Sequence, residues 1–200
     1  MKKEPIKIAV LVSGGGTNLQ ALIDAENSGK LKSGKIALVV SNNENAFALK
    51  RAKAENIPTA VITGGGFEDT LIKTLESAGA ELIVLAGFMK ILSERFTKLY
   101  AERIINVHPS LIPSFCGKGF YGLKVHEEAL KYGVKITGAT VHFVNEIPDG
   151  GKIIMQKAVK ILPNDTAKSL QQRVMEQAEW KILPAACEKV CKKLSMGESL

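Results

Sequence analysis

Apolar and polar positions recur with two different periods along this chain, and the switches between them outline a repeated order of strand and helix. Short apolar runs rich in Val, Ile and Leu, namely IKIAVLV, KIALVVSN, TAVIT and ELIVLAGF, predict buried strands. Each is followed by a segment with apolar residues at helical spacing: LQALIDAENSG, AFALKRAKAEN, FEDTLIKTLESAG and ILSERFTKLYA. Apolar strands alternating with amphipathic helices imply an α/β, doubly wound, mostly parallel sheet covered on both faces. A fifth strand, RIINVHPS, ends this regular part. Beyond it come a Gly-rich loop, SFCGKGFYG, a helix, LKVHEEALKYG, and two extended runs, KITGATVHFV and KIIMQKAVKI, joined through NEIPDGG. Two strands linked by a Pro- and Gly-containing turn predict an antiparallel C-terminal pair added to the parallel core. Helical spacing resumes from Thr166 to about Lys193, giving a long C-terminal helix capped by Asp165 or Thr166 and kinked or divided at Pro184. No linker, low-complexity segment or repeat interrupts this order, so residues 1–200 are expected to form one domain.

Composition narrows the class. The chain has 200 residues, 46% of them hydrophobic, which suffices for a sizeable core. No apolar run approaches the roughly 18 residues of a membrane-crossing helix. The opening, MKKEPIKIAVLVSGGG, reads as a first strand rather than a secretion signal, so a cytoplasmic setting with no membrane partner is expected. Three cysteines, Cys116, Cys187 and Cys191, form neither a paired framework nor a CxxC metal motif. The 27 basic and 20 acidic residues are scattered, with one modest cluster at Lys189, Lys192 and Lys193. That pattern describes a solvated surface suited to small anionic ligands, with no nucleic-acid partner expected.

Candidate chemistry concentrates where strands end. In RIINVHPS, Ile104, Asn106 and His108 share one face of the strand, so an apolar face turns polar just before Pro109. The carboxyl end of a strand in an open parallel sheet is where ligands bind. Asp149, between Pro148 and Gly150-Gly151, offers a carboxylate on a tight turn, and a carboxylate beside an imidazole orients it and favours its charged form. Of the other histidines, His126 lies in a helix, where a surface or supporting role is expected. His142 shares a face with Thr140 and either supports the site or fills a core. No histidine pair has the spacing of helical metal ligands, and no metal is expected. Ser13-Gly14-Gly15-Gly16-Thr17-Asn18 stands between the first strand and first helix, where backbone N–H groups and the helix dipole favour an anion. It lacks Gly-Lys-Ser/Thr, and Leu19 stands where a dinucleotide loop has its third glycine, so a mononucleotide-sized phosphate fits better. By itself the loop serves equally well as a tight turn, and Gly64-Gly65-Gly66 reads as such a turn.

The order and spacing of SGGGTN, LAGFMKILS, NVHPSLIPSF and HFVNEIPDGG resemble the folate-dependent formyltransferases, from about Ile8 to Pro184. The glycine-rich loop and chain length are similar to those of members that formylate glycinamide ribonucleotide in purine (IMP) biosynthesis. The resemblance implies a Rossmann-like fold, with 10-formyltetrahydrofolate as formyl donor and small-molecule substrates as partners. It leaves monomer and homodimer open. It implies catalytic roles for Asn106, His108 and Asp149, with Asp149 raising the His108 pKa. Gly16, Thr17, Asn18, Leu19, Gln20 and Glu179 would hold the ribonucleotide. Met89, Lys90, Ile91, Leu92, Asn106, Val144, Asn145 and Asp149 would form the folate pocket. The phosphate half would fall at about 1–100 and the folate and catalytic half at about 101–200. Three departures stand out. The basic residue the family often carries after the third strand has no clear match, Lys73 being the nearest. The loop over 114–125 is longer than in many members. RVMEQAEWKILP carries one extra residue, so Glu176 competes with Glu179 for the sugar.

Overall fold

The computed structural model describes residues 4–199; the charged start of the chain, Met1 to Lys3, where a targeting signal was judged absent, lies outside them. Seven strands form one sheet: β1 (Ile6–Val12), β2 (Gly34–Ser41), β3 (Thr59–Val61), β4 (Leu82–Leu85), β5 (Ile104–His108), β6 (Ile136–Phe143) and β7 (Ile153–Lys160). Their order across the sheet is β3-β2-β1-β4-β5-β6-β7. β1 to β5 pair in parallel, while β5–β6 and β6–β7 are antiparallel. The chain runs outward from β1 to β3 and returns on the other side with β4, placing the switch of direction between β1 and β4. Crevices open at the carboxyl ends of strands at such a point.

The helices are α1 (Thr17–Asn27), α2 (Phe47–Ala54), α3 (Phe67–Ala78), α4 (Glu94–Leu99), α5 (Leu123–Tyr132), α6 (Ala167–Val174) and α7 (Trp180–Met196). The unbroken apolar character of β1 follows from burial on both faces. Ile8, Val10 and Val12 join a core with α1 and α7, whereas Ala9 and Leu11 join a second core with α3 and Phe96 of α4. The fourth helix is shorter than its apolar pattern suggested. Ser93 caps it by accepting the Phe96 N–H, so Ile91 and Leu92 stay in the loop before it.

Thr166 is the cap of α6, in a reciprocal arrangement with Ser169. Beyond α6 the expected division at Pro184 is corrected. The helix widens into a π turn over Met175–Glu179 and then continues through Pro184 as α7. A π turn is how a helix absorbs one additional residue without breaking, which matches the extra residue between Arg173 and Pro184. Cys187 and Cys191 are buried free thiols in α7. No described helix is long and apolar enough to cross a membrane.

Candidate active site

The polar end of β5 meets β6 in register, with Asn106 opposite His142 and His108 opposite Thr140. This antiparallel neighbour gathers four polar side chains at one place. His108 Nδ1 stands 3.5 Å from Asp149 Oδ2, and His142 Nε2 stands 3.5 Å from Asp149 Oδ1. His142 Nδ1 is 2.8 Å from the Phe143 carbonyl, which can only accept, so Nδ1 carries a proton. In the neutral ring Nε2 then accepts from Asn106 Nδ2, 3.2 Å away, which fixes the Asn106 amide. His142 thus supports the site rather than filling a core.

Asp149 is held at a φ of 57° on a turn that needs its glycines. A Cβ on Gly151 would stand 1.7 Å from the Phe143 carbonyl oxygen. The loop after β5 closes over the same group. His108 Nε2 donates to the Phe115 carbonyl at 2.9 Å, and the Gly117 N–H donates to Asp149 Oδ2 at 2.8 Å. Thr140 ties the base of that loop down, donating to the Ser110 carbonyl at 2.7 Å and accepting the Ile112 N–H at 3.1 Å.

Burial pushes the Asp149 carboxyl up, but the adjacent His142 and His108 rings and the Gly117 N–H together hold it below its ordinary value. For His108 the expected direction is corrected. Burial drives its pKa down, and neither Asp149 nor the Phe115 carbonyl restores it, so the net direction is downward.

A cavity of 330 Å³ runs from this cluster to the first helix, with Asn18, Met89, Lys90, Ile91, Asn106 and Glu179 in its wall alongside His108 and Asp149. A neighbouring cavity of 140 Å³ is lined by Leu92, Val144 and Asn145, and shares Lys90, Ile91, Asn106 and Asp149 with the first. All eight residues expected around the folate therefore line these two spaces. Ser13 joins the loops at the switch point by donating to Asn42 and accepting the Met89 N–H at 2.8 Å.

At the other end, Gly16 adopts a φ of 72°, and a Cβ there would meet Ala48 at 2.6 Å. Gly14 and Gly15 face open space. Asn18 donates to Glu179 Oε2 at 2.7 Å, and both are buried. Burial raises the Glu179 carboxyl, with the Asn18 bond opposing. Glu176 is exposed and takes a bond from Gln172, so only Glu179 faces the cavity.

Three expected ribonucleotide contacts are placed differently. Leu19 is fully buried in the core, as the sheet-facing position of an amphipathic helix requires, so its side chain does not reach the site. Thr17 and Gln20 line a separate cavity of 810 Å³ between α1 and α7. Lys73 is exposed and lines neither cavity of the β5–β6 cluster. The cation at the glycine loop is instead Arg51 of α2, donating to the Gly15 carbonyl at 2.9 Å and to Gln20 at 3.0 Å. No motif marks Arg51, because only the packing of α2 brings it there. Of the two roles expected for His126, the surface one is excluded: it is fully buried in the cavity wall, neither ring nitrogen has a partner, and burial beside His108 lowers its pKa to about 4. Its place beside Val125 and three residues before Ala129 on the apolar stripe of α5 was the available signal.

The formyl transferase family model matches residues 6–187. The chain belongs to the formyl transferase family. It is 45% identical over 184 residues to phosphoribosylglycinamide formyltransferase of Haemophilus influenzae, covering 89% of this chain and 84% of that protein. It is 44% identical over 191 residues to the trifunctional purine biosynthetic protein adenosine-3 of Gallus gallus, covering 92% of this chain but 18% of that protein. The crystal structure of phosphoribosylglycinamide formyltransferase from Anaplasma phagocytophilum superposes with a TM-score of 0.86 at 40% identity, over 95% of this chain and 89% of that one. Membership in the formyl transferase family makes this chain a formyl-transferring enzyme.

Proposed function

We propose that this enzyme transfers the formyl group of 10-formyltetrahydrofolate to the glycinamide amine of 5'-phosphoribosylglycinamide, in the IMP pathway. The observation that carries this reading is one cavity joining the Asn106–His108–Asp149 cluster to the Asn18–Glu179 pair. The folate would enter from the smaller cavity over Leu92, Val144 and Asn145. The ribonucleotide would set its phosphate on the open backbone of Gly14 to Gly16, at the amino end of α1. Buried Glu179 would take the ribose hydroxyls, which supply the donors that a carboxylate needs.

Attack of the substrate amine on the formyl carbon forms a C–N bond and moves the carbonyl electrons onto oxygen. The Asn106 amide, and the His108 Nε2–H once it leaves the Phe115 carbonyl, would be the donors that stabilise that oxyanion. Asp149 holds the imidazole and, with its depressed pKa, remains ionised to balance a proton gained there. Collapse of the intermediate breaks the bond to the folate nitrogen, which leaves carrying the proton lost by the amine. The chemistry needs proton transfer and charge stabilisation, both within reach of these side chains.

The test is release of tetrahydrofolate from 10-formyltetrahydrofolate with and without glycinamide ribonucleotide. Turnover that requires the ribonucleotide is the expected result. Tetrahydrofolate released into water without any acceptor, or no folate binding at all, would overturn the reading.

A further inference from the structure

The glycine loop after β1 is held from behind by α2, through bonds that the proposed mechanism does not use. Three successive carbonyls of this stretch have partners. The Ala48 N–H, at the start of α2, donates to the Gly14 carbonyl at 3.0 Å. Arg51 Nε donates to the Gly15 carbonyl at 2.9 Å. The Gln20 N–H, in the first turn of α1, donates to the Gly16 carbonyl at 2.9 Å. A trans peptide is planar, with its C=O and N–H directed opposite ways. Fixing these carbonyls therefore fixes the N–H groups of Gly15, Gly16 and Thr17, and the first two point away from α2. Gly16 lies in the left-handed region at a φ of 72°, and consecutive N–H groups around such a residue form a concave anion site. A Cβ on Gly14 or Gly15 would meet nothing within 4 Å, so an oxyanion can approach this backbone.

Of the three carbonyls, the one at Gly15 is held by a side chain, and that side chain is itself braced. Arg51 Nη1 donates to Gln20 Oε1 at 3.0 Å, and Gln20 Nε2 donates to Asp24 Oδ1 at 2.9 Å. The guanidinium lies 5.1 Å from the centre of the Phe47 ring. A planar fork that reaches two acceptors while stacked on a ring is a geometry that lysine does not reproduce. Arg51 and Gln20 line the separate 810 Å³ cavity and not the 330 Å³ one, so Arg51 acts through the loop and not at the reacting groups. Lys50, its exposed neighbour on α2, carries the same charge over the same ring at 5.8 Å and makes no hydrogen bond to the described loop residues.

We infer that Arg51 is a positioning residue for the ribonucleotide: its grip on the Gly15 carbonyl aims the Gly16 N–H at the substrate phosphate. This rests on the formyl-transfer reading above, which sets that phosphate on the glycine loop. Without the grip, the Gly15–Gly16 peptide lies between two residues that have no Cβ to restrain it, and its N–H is free to turn away. The cost falls on recognition of the phosphate and on no other part of either substrate.

The experiment compares glycinamide ribonucleotide with its dephosphorylated riboside as formyl acceptors, at saturating 10-formyltetrahydrofolate. The full chain is used as wild type, Arg51→Met, Arg51→Lys and Lys50→Met. The readout is the ratio of kcat/KM for the ribonucleotide to kcat/KM for the riboside, which reports what the phosphate contributes. A loss of folded protein lowers both values together and leaves the ratio unchanged. In Arg51→Met the ratio should shrink about five-fold or more, the scale of one hydrogen bond's net worth, through the ribonucleotide KM rather than kcat. Arg51→Lys should show most of that loss, and Lys50→Met should match the wild type. The inference is overturned if the Arg51→Met ratio stays within about two-fold of the wild type, or if Lys50→Met shrinks it equally. It is also overturned if Arg51→Lys equals the wild type, which would leave a charge effect alone. A wild type that uses both acceptors equally well would take the phosphate off the loop, and the inference with it. A wild type without formyl transfer to either acceptor would overturn the functional reading itself, a result separable from all of these.

Discussion

Asp149 and Glu179 are the two carboxylates in the wall of the 330 Å³ cavity, and their surroundings differ in kind. Asp149 has His108 and His142 on either oxygen and the Gly117 N–H on one of them, and its pKa lies below the ordinary range. Glu179 has one protein donor, Asn18, and its pKa is raised by burial; Asn18 Oδ1 itself is buried without a partner. The first group is saturated and charged before any substrate arrives, which is what electrostatic stabilisation of a transient charge demands. The second is left short of hydrogen bonds, a state that a polyhydroxyl ligand would relieve. In the proposed reading the chemistry is preorganised at one end, and binding energy is gained at the other.

The largest expected effect comes from breaking the saturated end. Asp149→Ala removes partners from two imidazoles and a backbone N–H, and kcat/KM should fall by about 10²–10⁴-fold, the range of a lost proton-transfer group. Binding of both substrates, followed by calorimetry, should persist; loss confined to ribonucleotide affinity would erase the contrast between the two carboxylates. Glu179→Gln should act in the opposite manner. The ribonucleotide KM should rise by about 10–100-fold, as for a charged hydrogen bond worth about 1.5–3 kcal/mol, with the folate KM unchanged.

A third effect concerns pH. His126 has its pKa lowered to about 4, so the unfolded chain binds a proton that the folded chain refuses between pH about 6.5 and about 4. Stability should therefore decline as pH falls through that window, by roughly 3 kcal/mol at most, and level off below it. Asp149, with its depressed value, adds a further loss only as pH drops through its own lower pKa. Denaturant midpoints from pH 7 to 4 measure this, and the His126→Leu variant should show a flatter profile. The smallest effect is Thr166→Ala, which removes the cap of α6. It should cost about 1 kcal/mol, lowering Tm by a few degrees with both KM values intact.

What was legible in the sequence divides along physical lines. Asn106 and His108 could be placed because strand parity is local and the change from Ile104 to polar groups is visible in five residues. Asp149 was marked by the glycines that its turn requires. The parallel and antiparallel parts of the sheet followed from the shift in pattern after β5. Arg51 was not legible, since the Gly15 carbonyl it bonds lies 36 residues away and depends on how α2 packs. The direction of the His108 shift was missed because a neighbouring carboxylate can be read from sequence, whereas the amount of water removed from an imidazole cannot. The family resemblance revealed one residue more than usual before Pro184. That the helix would absorb it as a π turn, keeping Glu179 inward and Glu176 outward, needed the three-dimensional arrangement.

The measurement that bears most directly on the central claim is the single-turnover rate of formyl transfer at saturating 10-formyltetrahydrofolate and glycinamide ribonucleotide, for wild type, Asn106→Ala and His108→Ala. If these side chains stabilise the oxyanion, each variant should bind both substrates yet slow the chemical step by about 10²–10³-fold. A wild-type rate in either variant, with both substrates bound, would contradict the assignment of catalysis to the end of β5.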